Sequence, residues 1–385
     1  MMELGIETSL LQSRGAIWTA REIAQQPDML RRTQSMLEGS EPELQQFLGP
    51  LLTRSELRIV LTGAGTSAFI GECLAPHLSK QLPCRVEAIP TTDIVAAPGF
   101  CLRRQTPTLL VSFARSGNSP ESVASATLVD HFVDEAHHLV ISCNPDGALA
   151  VHARSAPRGC TFLLPPEAHD QSFAMTSSFS CMTYAALAAF TGIPGMRGRI
   201  DAIVRATESS IAEQRGRLQS VVEQGYRRVV FLGSNVFKGL AREAALKFLE
   251  LTDGIGVAAF DTPMGFRHGP KTIVDKQTLV VVFLSNDRYT RRYDLDLLEE
   301  LKLENTAGRI LAVSAQRGTA IDPADTIEIP HLEAAEDVDL LFPYVAIAQL
   351  LAFHESLRLG LSPDSPSRSG TVNRIVQGVR IHPVG

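Results

Sequence analysis

The sequence is poor in the residues that mark several classes of protein. Among its 385 residues there is one tryptophan, and its six cysteines include no Cys-x-x-Cys pair. The cysteines stand mainly in apolar segments, as small core residues do, which argues against a disulfide framework. They are Cys73, Cys84, Cys101, Cys143, Cys160 and Cys181. We therefore expect a chain without disulfides.

Charge and hydropathy exclude further classes. The formal net charge is −6 and the pI is about 6.0, so no basic surface for nucleic acid is predicted. Apolar runs such as Leu279 to Leu284 are far shorter than a membrane span. The N-terminus lacks the apolar core of a signal peptide. We expect a cytoplasmic protein with no nucleic-acid or membrane partner.

The histidines show no metal-binding spacing. His137 and His138 are adjacent, but no His-Glu-x-x-His motif or carboxylate cluster stands near them in the sequence. We interpret the pair as the edge of a strand and predict neither a metal nor a cofactor.

A loop of small hydroxyl residues follows an apolar run. Residues 109–113 read as a buried strand, and the loop Arg115-Ser-Gly-Asn-Ser119 leads into a helical pattern. Backbone N–H groups and hydroxyls at a helix N-terminus, together with an arginine fork, suit a phosphate group. The alternative is a serine-rich turn in which Ser119 is an ordinary N-cap.

A second turn of this kind, Gly63-Ala-Gly-Thr-Ser67, follows the strand predicted over 58–63. Gly63-x-Gly65-x-x-Ala68 formally matches the dinucleotide fingerprint, and Glu87 stands where a ribose-binding acid would be expected. The threonine and serine suit a phosphate monoester better, and a second hydroxyl loop has no necessary role in a dinucleotide site. An NAD-dependent dehydrogenase nevertheless stays open as an alternative.

Strands and helices alternate along the chain, which indicates a parallel sheet covered by helices on both faces. The pattern then repeats. Arg58 to Gly63 resembles Arg228 to Gly233, and Thr108 to Phe113 resembles Thr278 to Phe283, both at an offset of 170 residues. Leu139 to Ser142 aligns with Arg309 to Ala312 at the same offset. The repeat predicts two copies of one α/β unit.

We predict α/β domains over 51–205 and 206–362, a helical N-terminal segment over 1–50 and a C-terminal tail over 363–385. Within the N-terminal segment, Thr19 to Glu22 has the pattern of a capping box, and Ser40 marks a second helix start.

The second copy carries carboxylate and imidazole groups in place of the phosphate loops. A helical pattern over 238–251 puts Glu243, Lys247 and Glu250 on one face. We interpret Glu243 with Lys247 as a solvated salt bridge, because such i, i+4 pairs are common on surfaces. Glu250 precedes a glycine turn and His268 lies on a rigid Gly-Pro loop, so both are catalytic candidates.

Four of these stretches together resemble the sugar isomerase (SIS) domain family. They are Gly63-Ala-Gly-Thr-Ser67, Arg115-Ser-Gly-Asn-Ser119, Ala244-Ala-Leu-Lys-Phe-Leu-Glu250 and Gly265-Phe-Arg-His-Gly-Pro270. They look like the signature stretches of the isomerase half of glucosamine-6-phosphate synthase. The resemblance covers about residues 50–380 and is strongest to AgaS-type galactosamine-6-phosphate deaminase/isomerases, also called tagatose-6-phosphate ketose/aldose isomerases. It implies two tandem doubly wound, flavodoxin-like SIS domains of three αβα layers.

The resemblance also implies roles for single residues. The sugar phosphate would be bound by Gly65, Thr66, Ser67, Arg115, Ser116, Asn118, Ser119 and Thr176. Glu250 would move a proton between C1 and C2, and His268, reaching the site from the partner subunit of a homodimer, would assist ring opening. Further ring-opening or sugar contacts would come from His169, Asp170, Gln171, Lys247 and Arg374. The sequence departs from the synthase at Gln171, where a carboxylate is expected, and near Val376, where a lysine is expected.

The implied reaction converts D-galactosamine 6-phosphate to D-tagatose 6-phosphate and ammonia. Since about 50 residues precede the first strand and the chain starts with Met1-Met2, we expect no glutaminase domain, and hence loss of nitrogen from an amino sugar. Isomerisation of tagatose 6-phosphate, deamination of glucosamine 6-phosphate and a non-catalytic phosphosugar sensor stay open as alternatives.

Overall fold

The computed structural model describes residues 2–317, 322–374, 376 and 378–383. They form two compact units. The first-sheet unit comprises Asp28–Asp170, Ser177–Ile200 and the described residues of Val372–Gly385. The second-sheet unit comprises Gln171–Thr176 and the described residues of Met1–Pro27 and Asp201–Thr371. The domain limits given above stay predictions.

Strands and helices alternate as predicted. The strands are β1 (Met2–Glu3), β2 (Ile6–Glu7), β3 (Arg58–Thr62), β4 (Arg85–Ala88), β5 (Thr108–Ala114), β6 (Ala136–Ser142), β7 (Gly159–Leu163), β8 (Arg228–Gly233), β9 (Val257–Asp261), β10 (Thr278–Phe283), β11 (Arg309–Ser314) and β12 (Thr326–Glu328). The α-helices are α1 (Thr8–Ser13), α2 (Ile17–Ala24), α3 (Gln26–Leu52), α4 (Thr66–Gln81), α5 (Thr91–Ala96), α6 (Pro98–Cys101), α7 (Pro120–Phe132), α8 (Ala148–Ser155), α9 (Ser177–Thr191), α10 (Ile193–Arg197), α11 (Ile200–Val222), α12 (Val236–Leu251), α13 (Pro263–Phe266), α14 (Arg288–Glu304) and α15 (Asp337–Arg358).

Each unit is built on a five-stranded parallel sheet. The first sheet has the order β4-β3-β5-β6-β7, and the second has the order β9-β8-β10-β11-β12. Every residue of the central strands β3, β5 and β10 is buried, as expected for parallel strands covered on both faces. The predicted class, two tandem α/β domains with parallel sheets, is confirmed.

The internal repeat is confirmed, with one change in its alignment. Arg58 pairs with Thr108 in the first sheet, and Arg228 pairs with Thr278 in the second, so the 170-residue offset holds for these strands. In the next strand, however, Leu109 pairs with His137 and Leu279 pairs with Arg309. His137, and not the predicted Leu139, is therefore the counterpart of Arg309. The error of two residues escapes a pattern search because an even shift keeps every side chain on the same face.

Two local predictions in the N-terminal segment are wrong. The long helix α3 runs through Ser40 without a break. Thr19 lies inside α2, where its hydroxyl and its backbone N–H both bond Oδ1 of Asp364 at 2.8 Å. Glu22, the other end of the predicted capping box, accepts the backbone N–H of Ser172 at 3.1 Å. The carboxylate of Asp364, far along the chain, thus bonds the first turn of α2 in place of the predicted local capping box.

Among the described residues of the second-sheet unit, one helix, α15, is long and apolar enough to cross a membrane by length and composition. However, 94% of its apolar window is buried inside the protein, and the ring of Tyr344 lies 5.1 Å from that of Phe237 on α12. α15 is therefore a core helix of this unit.

Candidate active site

The turn after β3 forms the first hydroxyl loop. Gly63 has no room for a side chain, because a Cβ there would lie 2.5 Å from the Cβ of Ser67. Gly65, with φ of +56°, is the N-cap of α4, and no side chain caps this helix. The backbone N–H of Thr91 donates to the Gly63 carbonyl at 2.8 Å and fixes the turn. Helix α4 thus begins with Thr66 and Ser67 at the carboxyl end of β3.

The loop after β5 is held by its neighbours. A Cβ on Gly147 would lie 2.7 Å from the carbonyl oxygen of Ser116, so this approach requires glycine. The side-chain amide of Asn144 donates to the same carbonyl at 2.8 Å. The side-chain oxygen of Asn118 accepts the N–H of Ala148 at 2.9 Å and so caps α8. Asn118 therefore fixes the loop, and its contact with phosphate stays a prediction.

Ser119 leaves its hydroxyl out of the helix cap. It occupies the N-cap position of α7, yet its side chain accepts no hydrogen bond from the first turn. Ser119 is thus the N-cap of α7, as the alternative predicts, but it lacks the side-chain hydrogen bond of an ordinary serine cap. Thr62 at the end of β3 pairs with Ser112 of β5, so the two loops follow neighbouring strands at one sheet edge. Two helix N-termini and two hydroxyl loops at this edge form a site suited to an anion.

Glu87 does not fit the role that the dinucleotide alternative requires. Its carboxylate bonds Nε of Arg58 at 2.5 Å and Nη2 of Arg85 at 2.7 Å. Burial raises the pKa of Glu87, but the hydrogen bonds and charges of these two arginines outweigh burial and hold the pKa below its usual value. A carboxylate shared by two arginines is a poor acceptor for a ribose hydroxyl.

Arginine and histidine side chains gather around the second loop. Nη2 of Arg115 donates to the backbone carbonyl of Arg374 at 2.9 Å, and Arg374 in turn donates to the backbone carbonyl of Asp170. Burial lowers the pKa of His169, and the charges of Arg374 and Arg115 lower it further, against a smaller opposite effect of Asp170. The structure thus brings Arg115, His169 and Arg374 together.

Asp170 has a structural role in the first-sheet unit. Its carboxylate is completely buried and accepts the backbone N–H groups of Ser177 and Ser178 at 3.0 Å each, together with the Ser178 hydroxyl. An acidic group at this position satisfies the free N–H groups of the first turn of α9. Thr176, the next predicted phosphate ligand, immediately precedes this helix and is buried.

Helix α12 of the second-sheet unit carries a buried charge cluster. Glu243 and Lys247 are 0% and 1% exposed, and their charged atoms lie 3.6 Å apart, so the predicted solvated salt bridge is wrong. Lys247 also donates to the carboxylate of Glu250, whose side chain is 22% exposed. Glu250 lies in the last turn of the helix, before Gly254 with φ of +69°. Its carboxylate is fixed by a buried ammonium and still meets the surface.

His268 lies on an exposed loop of the same unit. The loop begins at α13, where the hydroxyl of Thr262 accepts the N–H of Gly265 at 3.0 Å. The backbone N–H of His268 donates to the Gly265 carbonyl at 3.0 Å, and Gly269 follows with φ of +122°. Within the part of the chain that is described, the imidazole makes no hydrogen bond. Its role as a catalytic group stays a prediction.

Sequence reasoning missed the group that holds Gln171. Glu22, buried in α2, accepts the backbone N–H groups of Gln171 and Ser172 and the Ser172 hydroxyl. Residues 22 and 172 are 150 positions apart, so no local motif signals their contact. Gln171 itself is exposed, held in place by its backbone.

Family and structural comparisons agree with this geometry. The model of the SIS domain family matches residues 51–192, which contain the first sheet and both hydroxyl loops, so these features define a SIS-domain protein. The D-galactosamine-6-phosphate deaminase AgaS of Shewanella sp. (strain ANA-3) is 45% identical over 376 residues, which cover 97% of this chain and 94% of the relative. The AgaS deaminase of Escherichia coli O157:H7 is 44% identical, with coverage of 95% and 96%.

A crystal structure of tagatose-6-phosphate ketose/aldose isomerase from Escherichia coli superposes with a TM-score of 0.89 at 42% identity, covering 95% of this chain and 96% of that one. The chain belongs to the AgaS family of SIS-domain proteins.

Proposed function

We propose that the protein is an amino-sugar phosphate deaminase/isomerase that converts D-galactosamine 6-phosphate and water to D-tagatose 6-phosphate and ammonia. Relatives with this named activity match nearly the whole chain at 44–45% identity. The hydroxyl loops of the first sheet support a phosphorylated substrate. The carboxylate at the end of α12 supports proton transfer.

The phosphate is the anchor of the substrate in this proposal. The hydroxyls of Ser67, Ser116 and Ser119 and the N–H groups of the first turns of α4 and α7 are its donors. Arg115 adds a charge whose direction is fixed by the Arg374 carbonyl at 2.9 Å. Binding energy from this unreactive end positions the sugar carbons for chemistry. Thr176, Gly65, Thr66 and Asn118 complete the proposed set.

Proton transfer is assigned to Glu250, and this assignment carries the proposal. A base for a C–H proton must be ionised, directed and open to substrate. Lys247 directs the Glu250 carboxylate from the buried side, while 22% of the Glu250 side chain is exposed. Glu243, completely buried beside Lys247, compensates the ammonium charge. Lys247 and Glu243 are therefore positioning residues in this scheme.

The reaction then follows in balanced steps. The opened sugar presents an aldehyde at C1 and an amine at C2, and Glu250 removes the C2 proton to give an enolamine. Return of the proton to C1 converts C1 to a hydroxymethyl group and leaves an imine at C2. Water adds to the imine carbon, the C–N bond breaks, and ammonia and the ketose phosphate leave.

Ring opening is assigned to His268, the exposed imidazole on the rigid loop. The family resemblance supports a role for this histidine in the site of a partner subunit, so a homodimer is part of the proposal. His169 and Arg374 are proposed to contact the sugar near the phosphate, as is Gln171. We propose a cytoplasmic location, because a charged sugar phosphate is retained where it is formed.

The direct test is a substrate panel with the purified protein. Ammonia and ketose phosphate are measured with galactosamine 6-phosphate, glucosamine 6-phosphate and N-acetylgalactosamine 6-phosphate. We expect stoichiometric ammonia and tagatose 6-phosphate from the first substrate, and the fastest turnover there. Release of ammonia from none of the three sugars contradicts the proposed deamination.

A second candidate is ketose/aldose isomerisation of tagatose 6-phosphate, favoured by the named activity of the structural neighbour at 42% identity. It needs the same anchor and the same base but no C–N cleavage. Interconversion of tagatose 6-phosphate with an aldose phosphate, at a rate above that of ammonia release, would establish this activity instead.

A further inference from the structure

Three metal-ligating side chains meet in the first-sheet unit. His138 lies in the amino-terminal half of β6, Asp130 in the last turn of α7 and His152 in the last turn of α8. Nε2 of His138 is 2.7 Å from Oδ1 of Asp130, and Nε2 of His152 is 3.0 Å from Oδ2. The carboxylate thus faces one imidazole with each oxygen.

The three groups converge as ligands do. One ligand atom from each residue lies within 4.8 Å of the other two. The centroids of the two imidazole rings are 5.0 Å apart, and the rings stand at 86° to each other in an edge-to-face arrangement. Nε2 of His152 is buried and does not meet hydrogen-bond geometry with its close carboxylate neighbour. A hydrogen-bonded triad leaves this nitrogen unexplained, whereas a metal ion would use its lone pair.

The donor set selects the kind of ion. Two imidazole nitrogens and one carboxylate oxygen suit Zn²⁺ and its neighbours in the transition series better than Mg²⁺ or Ca²⁺. Tetrahedral Zn²⁺ with bonds of about 2.0–2.1 Å separates its ligand atoms by about 3.3 Å. The two separations between imidazole and carboxylate, 2.7 and 3.0 Å, are shorter than this by about 0.6 and 0.3 Å, and the exposed Asp130 can move outward to accommodate the ion.

We propose that Asp130, His138 and His152 form a binding site for a divalent transition metal ion of the Zn²⁺ type, with an open fourth position for water. The ion would connect α7, β6 and α8, which otherwise meet only through packing and hydrogen bonds. Asp130 lies 11 residues beyond Ser119, about 16 Å along the helix. The site is therefore separate from the phosphate loops and independent of the proposed reaction.

The test uses the full chain, stripped with a chelator and free of any histidine tag. Zn²⁺ is titrated against a competing indicator, and Co²⁺ is added separately to record its visible ligand-field absorption. Because His138 is 2% exposed, variants are made at the outer ligands, as Asp130→Asn and His152→Gln. His137→Gln is the matched control, since His137 is the neighbour on the strand and bonds Glu135 at 3.1 Å.

We expect one Zn²⁺ per chain, a tetrahedral Co²⁺ spectrum and a rise in thermal midpoint on Zn²⁺ addition. Each outer-ligand variant should weaken binding at least tenfold and abolish the Co²⁺ bands, while His137→Gln behaves as wild type. Catalytic turnover should be the same with and without the ion. Equal Zn²⁺ affinity in wild type and His152→Gln, or no binding by wild type at millimolar Zn²⁺, would overturn the proposal.

Discussion

The two sheets share a backbone design but differ in the side chains at their carboxyl edges. A Cβ on Gly63 would meet Ser67 at 2.5 Å, and one on Gly233, 170 positions later, would meet Phe237 at the same distance. The tight strand-to-helix turn is therefore kept in both copies. Ser67 is a hydroxyl residue at a proposed anion site, whereas Phe237 is buried in a hydrophobic core.

The second sheet supplies its own anions. Asp294 accepts the Ser234 hydroxyl at 2.6 Å and the backbone N–H of Ser285 at 3.0 Å. Asp337 accepts the Ser285 hydroxyl and the N–H of Asn286. The loops in the same positions at the first sheet carry the proposed donors to a phosphate. Under the proposed function, the same backbone edge attracts negative charge in both copies, and its side chains decide whether the charge is internal or a ligand.

The largest effect on turnover is expected for Glu250, the proposed base in the second copy. Glu250→Gln keeps the shape of the side chain but removes the base, so turnover should fall by about 10³–10⁴. Phosphosugar affinity should change little, and exchange of the substrate C2 proton with D₂O should stop. Glu299→Gln, at an exposed position on α14, is the control. An active Glu250→Gln enzyme would end the assignment of this unit to proton transfer.

His268→Asn should have the next largest effect. If the imidazole opens the ring, turnover of the cyclic amino sugar falls by about 10²–10³, while an open-chain ketose phosphate tested in reverse loses much less. The ratio of the forward and reverse losses is the measurement. Equal losses in the two directions would assign His268 to proton shuttling or to loop structure.

Paired serine variants compare the two edges directly. In the pair Ser116→Ala and Ser119→Ala, each substitution should raise KM by about 10–10², since one charge-assisted hydrogen bond is worth about 1.5–3 kcal/mol, with stability unchanged. Ser234→Ala with Ser285→Ala removes donors from internal carboxylates, so it should lower the unfolding midpoint and leave KM unchanged. KM and urea midpoints are measured for both pairs. The reverse pattern would mean that the external anion binds at the second sheet.

Much of this architecture could be predicted because it is local or periodic. The strand alternation, the repeat and the glycine turns depend on local or periodic patterns, and the structure confirms them. Asp364 at the start of α2 could not be predicted, because folding alone brings groups so distant in the sequence together. Asp130 and His138 are only 8 residues apart, but they belong to a helix and a strand whose packing the sequence pattern does not show. Glu243 and Lys247 show another limit: an i, i+4 ion pair has the same spacing on a surface and in a core. Burial, and not spacing, separates the two cases.

The internal anion of the second sheet should be visible in the pH dependence of stability. Burial raises the pKa of Asp294 to about 6, against the hydrogen bonds from Ser234 and Ser285. Its unfolded pKa is near 3.8, so the folded state binds the extra proton between these values. This contribution to stability is complete below pH 3.8 and is lost as pH rises through about 6.

Relative to Asp294→Asn, wild type should therefore lose about 1–3 kcal/mol of unfolding free energy between pH 4 and pH 7. Urea unfolding at both values measures the difference. Asp296→Asn, at an exposed position of the same helix, should show none. If wild type instead gained unfolding free energy relative to Asp294→Asn between pH 4 and pH 7, the raised pKa would be contradicted.

The smallest effect on stability is expected at the N-termini of two corresponding helices, α7 in the first copy and α14 in the second. Asp287 caps α14 by accepting the N–H of Thr290 at 2.9 Å, whereas Ser119 caps α7 with no side-chain bond. Asp287→Ala should therefore lower stability by about 1 kcal/mol, the usual effect of a lost N-cap, and Ser119→Ala should change it by less than about 0.5 kcal/mol. Urea midpoints, with amide exchange in the first turn of each helix, separate the two variants. If Ser119→Ala proves as destabilising as Asp287→Ala, the Ser119 hydroxyl stabilises α7 as a helix cap, and its proposed role as a phosphate donor is contradicted.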